Sequence, residues 1–370
     1  MHAKYLKIII KMKKIILSLL SVLLLLSCNT EKSYKKLHLK DLKSTKDSIQ
    51  YFLDSTFSII KKHALYKDKI DWNKVHENYY KPNLNKDSVE AIFPVFSEIF
   101  NEMEDKHSML WHGRILHNAT INFNDPLPKP KETLRNAFDN GKAILMAKRI
   151  GDYGYIRIPF LRTGKNFKEE VEKSQEIQDM ICKIYSDDIK GWILDLRLNG
   201  GGDMFPMISG IQQFLGEGVF ASVIAQNKTT DWSIKDGGVY YDKERLAALN
   251  NYCLPKNLIN AKVAVLISQF TGSSGEVTGL AFKGRPNSIF IGERSKGLMT
   301  TNEIFNLPFG EGIEPLGIIL TLSIGYEKDR NGNQMSFLKP DIELFEDDNF
   351  DELEKDVKVK EAINWLADKR

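Results

Sequence analysis

Leu194-Asp195-Leu196-Arg197-Leu198-Asn199-Gly200-Gly201-Gly202-Asp203 reads as a short apolar strand that breaks into three consecutive glycines, with a helix expected from about Pro206. Consecutive glycines let backbone N–H groups converge on an anion, and a following helix N-terminus adds its positive dipole. The stretch therefore fits a nucleotide loop, an oxyanion hole, or a tight strand-to-helix turn that binds nothing. It lacks the GxGxxG spacing and the lysine of a P-loop, which disfavours nucleotides. Upstream, residues 153–159 alternate like a strand and 167–185 follow a helical period, so strand, helix and strand succeed one another as in a crossover unit. Downstream, 262–268, 288–292 and 318–323 read as further strands, Asn331-Gly332 as a hairpin turn, and 350–369 as a charged amphipathic helix. The fold class is thus α/β.

Two other segments share the texture of a site. Ser268-Gln269-Phe270-Thr271-Gly272-Ser273-Ser274-Gly275-Glu276 ends a strand and feeds a helix expected over 276–282. A serine there is either an N-cap, the commoner case, or a nucleophile. The GxSxG elbow is absent, because position 276 is Glu where that elbow needs Gly. The other segment is Glu104-Asp105-Lys106-His107-Ser108-Met109-Leu110. All seven histidines precede residue 118, so any Ser273–His pair must be built by the N-terminal region reaching the second half of the chain. His107 is the candidate base; a structural histidine is the competing reading.

Composition sets the frame. With 42% hydrophobic and 27% charged residues the chain is globular, neither disordered nor multi-spanning. Its net charge is +3, and subtracting the five unopposed lysines of the first 27 residues leaves −2 on the remainder, which argues against a nucleic-acid partner. Those lysines flank an apolar run over 15–26 that is too short to span a bilayer. Leu25-Leu26-Ser27-Cys28 resembles a bacterial lipobox, which implies a leader over 1–28, lipidation at Cys28 and a polar tether over 29–40. Met12 is a candidate start for this leader, and a buried N-terminal helix with an incidental cysteine is the competing reading. Cys182 lies in the apolar pattern Ile177, Ile181, Ile184, so Cys182 and Cys253 are expected as free thiols rather than as a bridge. No CxxC or HExxH pattern occurs, and no metal or cofactor is expected. The helical periods of 49–60 and 89–100 place an N-terminal helical domain at 41–115. Pro126, Pro128 and Pro130 mark an extended connector within 116–150, the core covers 151–345, and a C-terminal helix fills 346–370.

Taken in order, Asp105-Lys106-His107-Ser108, Tyr155-Ile156-Arg157-Ile158-Pro159, the Asp195 to Gly202 loop, Gly272-Ser273-Ser274-Gly275-Glu276, Gly292-Glu293-Arg294-Ser295 and Pro340-Asp341 resemble the C-terminal-processing serine peptidase family. The likeness covers about 45–345 and is to its tricorn-type branch, which includes the repeats of interphotoreceptor retinoid-binding protein. It implies a ClpP/crotonase-like core of ββα units. It also implies Ser273 as nucleophile, and an oxyanion hole from the N–H of Ser274 with that of Gly201 or Gly202. The lysine base of the processing proteases would align at Leu298, two positions after Lys296, so His107 is the expected base, as in the tricorn branch. The spacing of the branch's orienting acid falls on Gln334, with Glu327 and Asp329 nearby, which leaves the orienting group unassigned among the three, and Glu293, Arg294 and Asn302 are candidates for the cleft lining. The stretch from His107 to Tyr153 is too short for the PDZ domain common in processing proteases. The implied activity is a lipid-anchored peptidase of the bacterial cell envelope, acting on peptides or unfolded proteins. A non-catalytic binding lipoprotein and a crotonase-like acyl-CoA enzyme are the rival readings.

Overall fold

The computed structural model describes residues 44–120, 130–164, 166–255, 258–307 and 317–368. The leader, Cys28, the tether, and Pro126 and Pro128 lie outside them. Helix α1 (Thr45–His63) starts at Ser44, whose Oγ accepts the Asp47 N–H at 3.1 Å, and buries Ile49, Phe52, Leu53, Phe57 and Ile60 on one face. Short helical turns lead to α2 (Pro94–Glu102), which opens on proline and buries Phe96, Ile99 and Phe100. Then follow β1 (Met109–His112), β2 (Ile115–Asn118), α3 (Glu132–Asp139), β3 (Met146–Ile150), β4 (Tyr153–Arg157), α4 (Phe167–Cys182), β5 (Trp192–Asp195) and α5 (Met204–Gly210). Next come β6 (Gly218–Ala225), β7 (Lys228–Lys235), β8 (Gly238–Tyr241), β9 (Glu244–Ala248), β10 (Val263–Ile267) and α6 (Ser274–Leu280). The chain closes with β11 (Ser288–Gly292), β12 (Thr300–Asn306), β13 (Ile318–Asp329), β14 (Ile342–Glu343) and α7 (Val357–Ala367).

These strands form two sheets. One has the order β14-β11-β10-β5-β4-β3, parallel throughout except for the antiparallel edge strand β3. Both faces are covered, which is why its strands are continuously apolar. Trp192, Leu194, Val265 and Ile267 point into a core shared with α4, α5 and α6; Ile193, Ala264 and Leu266 point to α7, where Val359, Ala362 and Leu366 meet them. The other sheet is antiparallel, β2-β1-β13-β6-β7-β8-β9, with β12 on the far side of β13. Helices α1 and α2 pack on Leu110, Ile318, Leu320 and Leu322 of this second sheet. Each fully buried Leu or Ile there contributes roughly 1.5–3 kcal/mol.

The expected α/β core and N-terminal helical region are both present, and no PDZ-like module occurs among the described residues. Three details differ from the sequence expectations. Residues of the proposed connector enter β2, which pairs with β1, and form α3 and β3, the latter pairing with β4. The four-stranded meander β6 to β9 was not anticipated. Its turns carry positive φ at Gln226, Asn227, Asp236, Gly237 and Asp242, the left-handed conformation that tight hairpins demand. Finally, Cys182 and Cys253 are joined in a disulfide with Cα atoms 5.9 Å apart, so the expectation of two free thiols is corrected. Cys182, in the last turn of α4, is only partly buried and packs at the margin of the core, where it meets Cys253 in the chain after β9.

Candidate functional site

Strands β5 and β10 are parallel neighbours, Leu266 lying opposite Asp195, and the loops that leave their carboxyl ends meet where open α/β sheets bind ligands. Thr271 Oγ1 donates to the Leu196 carbonyl at 2.9 Å, Ser268 Oγ to that of Arg197 at 2.6 Å, and the Gly272 N–H to that of Asn199 at 3.0 Å. Gly275 must be glycine, since a Cβ there would stand 2.5 Å from the Asn199 carbonyl oxygen. Thus clamped, Ser273 adopts φ 50°, ψ −123°, a conformation costly for a residue with a side chain and concentrated at functional sites. Buried Glu276 holds it there, accepting the Ser273 N–H at 2.8 Å, Ser295 Oγ at 2.5 Å, and the N–H groups of Gly297 and Leu298, each at 2.8 Å. Burial pushes the Glu276 pKa up to about 7 against the pull of these donors.

His107 arrives from the turn between α2 and β1. Its Nε2 lies 3.0 Å from Ser273 Oγ and its Nδ1 2.9 Å from Thr300 Oγ1, at the start of β12. The ring is buried, which depresses its pKa to about 4; Asp105 opposes the shift and the Lys296 charge reinforces it. At neutral pH it is an uncharged base. Beyond Thr300, Ser323 Oγ lies at 3.1 Å and donates in turn to Asp105 Oδ1 at 2.9 Å. Asp105 also accepts the N–H groups of His107 and Ser108 at 3.0 Å each, and Ser108 Oγ at 2.5 Å.

The structure brings Ser273 and His107 together and sets the two glycines apart by the partners of their N–H groups. The Gly201 N–H already donates to Asn199 Oδ1 at 3.0 Å. Among the described residues nothing accepts the N–H of Gly202 or of Ser274, and Ser274 Oγ ties the two segments by donating to the Gly202 carbonyl at 2.8 Å. Gly202 has φ +102° and abuts Leu161, whose N–H and carbonyl pair with Gly201 and Asp203. Behind this loop Thr163 Oγ1 stands 2.6 Å from both Glu170 Oε1 and Asp203 Oδ2. One hydroxyl proton cannot serve two carboxylates, so one of the pair is protonated; burial and Asp203 push Glu170 up to about 8.

None of the residues expected to orient His107 touches it. Gln334 is exposed and bridges Lys328, Asp329 ties the turn at Asn331 and Asn333, and buried Glu327 meets Thr301 Oγ1 at 3.4 Å. The ring's partner is Thr300, a hydroxyl on a strand whose register no local motif announces. Glu293 is not a cleft residue either: it is buried in ion pairs with Lys131 at 2.8 Å and Lys358 at 3.4 Å. Arg294 lies over the Phe337 ring, whereas Asn302 does reach the site, donating to the His107 carbonyl at 3.2 Å. Lys296 makes no hydrogen bond to Ser273 among the described residues. The Asp195-Leu196-Arg197 motif is structural: Arg197 is fully buried between Asp195, Asp348 and Asp356 and pins the C-terminal segment under β5.

The model of peptidase family S41 matches residues 152–344. A nisin-resistance protein of Lactococcus lactis subsp. lactis is 31% identical over 283 residues, which is 76% of this chain and 78% of that protein. A carboxy-terminal-processing protease of Bartonella bacilliformis is 28% identical over 245 residues, 62% of this chain and half of that one. Among solved structures, a lipoprotein from Streptococcus agalactiae superposes with a TM-score of 0.61 at 21% identity, covering 86% of this chain and 96% of its own.

Proposed function

As the chain belongs to peptidase family S41 and is a homologue of carboxy-terminal-processing proteases, we propose that it is a serine endopeptidase in which Ser273 and His107 carry the chemistry. The observation that supports this most is the 3.0 Å approach of His107 Nε2 to the Oγ of a strained serine 166 residues away. In this reading Nε2 takes the Ser273 proton as Oγ attacks the scissile carbonyl. The oxyanion settles against the N–H groups of Gly202 and Ser274, and His107 returns the proton to the departing amine. Water then releases the acyl group by the same steps in reverse order. No lysine is needed, and Glu276 acts by holding the serine's backbone.

The chain is further proposed to sit on the bacterial envelope through a lipid on Cys28. The lipobox-like leader, the Cys182–Cys253 bridge, which suits an oxidising compartment, and the fold likeness to a lipoprotein support this. Among the described residues no helix is long and apolar enough to cross a membrane. Peptides and unfolded proteins are the substrate class, and nisin is the first peptide to assay, given the name of the Lactococcus relative. The test is labelling by a fluorescent fluorophosphonate: the wild type is expected to label, Ser273→Ala and His107→Ala are not. A folded wild type that stays unlabelled and retains a ligand stoichiometrically favours the binding lipoprotein instead.

A further inference from the structure

We propose that Asp105 is the orienting acid of this site, fixing the tautomer of His107 from a distance through the hydroxyls of Ser323 and Thr300. The inference rests on Ser273 and His107 being nucleophile and base, and it follows from counting protons. Two backbone N–H groups and the Ser108 hydroxyl already point at the Asp105 carboxylate, which makes it an acceptor for everything around it. Ser323 has one hydroxyl proton and gives it to Asp105, so its oxygen must accept from Thr300. Thr300 has then spent its own proton and must accept from His107, which places hydrogen on Nδ1. Nε2 is left as a bare lone pair facing the Ser273 hydroxyl. Every link is forced once the carboxylate is in place.

Take away this acceptor and the chain of hydroxyls can run the other way, from Ser323 to Thr300 to Nδ1. The hydrogen then sits on Nε2 and the ring cannot take a proton from Ser273. The same carboxylate favours the imidazolium that forms during attack, and it is the foremost influence opposing the effect of burial on His107. No proton needs to travel along the relay. Asp105, Ser323 and Thr300 are positioning residues, since none of them touches the reacting atoms. Asp105 also closes the backbone turn that presents His107, so the hydroxyl variants isolate the relay from the turn.

The experiment compares full-length wild type with Thr300→Val, Ser323→Ala, Asp105→Asn and the conservative Thr300→Ser. Long-range proton–nitrogen spectra read the His107 tautomer, and the pH dependence of kcat/KM on a peptide substrate reads the base. The wild type is expected to hold hydrogen on Nδ1. Thr300→Val and Ser323→Ala are expected to mix the tautomers and lower kcat by about 10- to 10²-fold with little change in KM, within the usual contribution of general base catalysis. Thr300→Ser should restore the wild-type tautomer, and Asp105→Asn should move the acid limb of kcat/KM downward. A wild type with hydrogen on Nε2, or a Thr300→Val enzyme with unchanged tautomer, kcat and acid limb, overturns the proposal. Because the spectra need no turnover, a relay seen by NMR in a protein that never labels with fluorophosphonate would refute the peptidase reading separately.

Discussion

Substituting Gly202 by alanine tests the reading of the glycine loop most directly. A Cβ at this position would lie 1.8 Å from the Leu161 carbonyl oxygen and 2.8 Å from its carbon, both backbone atoms that no rotamer change can move aside. Alanine must also hold φ near +102°, at a cost on the order of 1–3 kcal/mol. Relief requires the 161 and 201–203 segments to part. That breaks the Asp203 N–H to Leu161 carbonyl bond at 2.8 Å and the longer Leu161 N–H to Gly201 bond at 3.4 Å, each worth about 1 kcal/mol net. The total, roughly 3–5 kcal/mol, is within the 5–15 kcal/mol stability typical of domains, so the variant should still fold. On the proposed function the N–H at position 202, however, will have left the oxyanion position, and losing one such donor costs about 10²–10³ in kcat. Urea unfolding gives the first quantity and peptide hydrolysis the second. Gly113→Ala is the control, since it too has positive φ but nothing within 4 Å of its Cβ, and it should cost about 1 kcal/mol with normal turnover. A Gly202→Ala enzyme with wild-type kcat, or one whose loss of turnover merely equals its unfolded fraction, would refute the assignment.

Two further outcomes follow from the titrating groups. Folded Glu170 and Glu276 keep their protons to about 8 and about 7, while the unfolded chain releases them near 4.5, so the folded state binds the extra protons and stability falls as pH rises through that interval. His107 and His117, both depressed below 6.5, act in the opposite sense only below that pH, leaving 6.5 to about 8 as the clean window. The melting temperature should be lower at the top of this window than at the bottom, and Glu170→Gln should flatten the slope; a melting temperature that climbs with pH would contradict the raised titration of Glu170 and Glu276. Lys296→Met should keep fluorophosphonate labelling and shift the acid limb of kcat/KM upward, because the lysine charge opposes protonation of His107; abolished labelling would instead mark Lys296 as the base.

The sequence carried the parallel sheet and the Ser273 and Gly202 loops well, because each strand there is a continuous apolar run ending in glycines. The early position of every histidine showed only that a Ser273–His pair must reach back to the N-terminal region, and the choice of His107 came from the family resemblance. What surrounds them was out of reach. Gly201 and Gly202 are equivalent as letters, and only the side chain of Asn199 distinguishes them. The Nδ1 partner was sought among acids near Pro340, whereas Thr300 and Ser323 become neighbours of His107 only through the pairing of β12 and β13. Ser323 lies 218 residues from Asp105, a separation no local pattern can encode. The meander was legible in principle, since Asp236-Gly237 is a hairpin signal between alternating residues. The cysteine pair was not, since spacing alone cannot tell a core thiol from a bridge. The C-terminal helix starts later than its amphipathic pattern suggests, because Asp356 caps it at Val357 and the preceding residues are drawn down to Arg197.

Parts of the site come from four stretches of chain: His107 with its turn, then the glycine loop at 200–202, then the serine loop at 272–275, and last the β12–β13 pair that supplies Thr300 and Ser323. A ribosome or export channel delivers them in that order. Until β13 is in place the ring of His107 lacks the Thr300 and Ser323 hydroxyls behind it, so on the proposed function an incompletely folded copy would be inert toward the unfolded chains around it. On the proposed function, attack on a substrate is thereby made conditional on completing the fold.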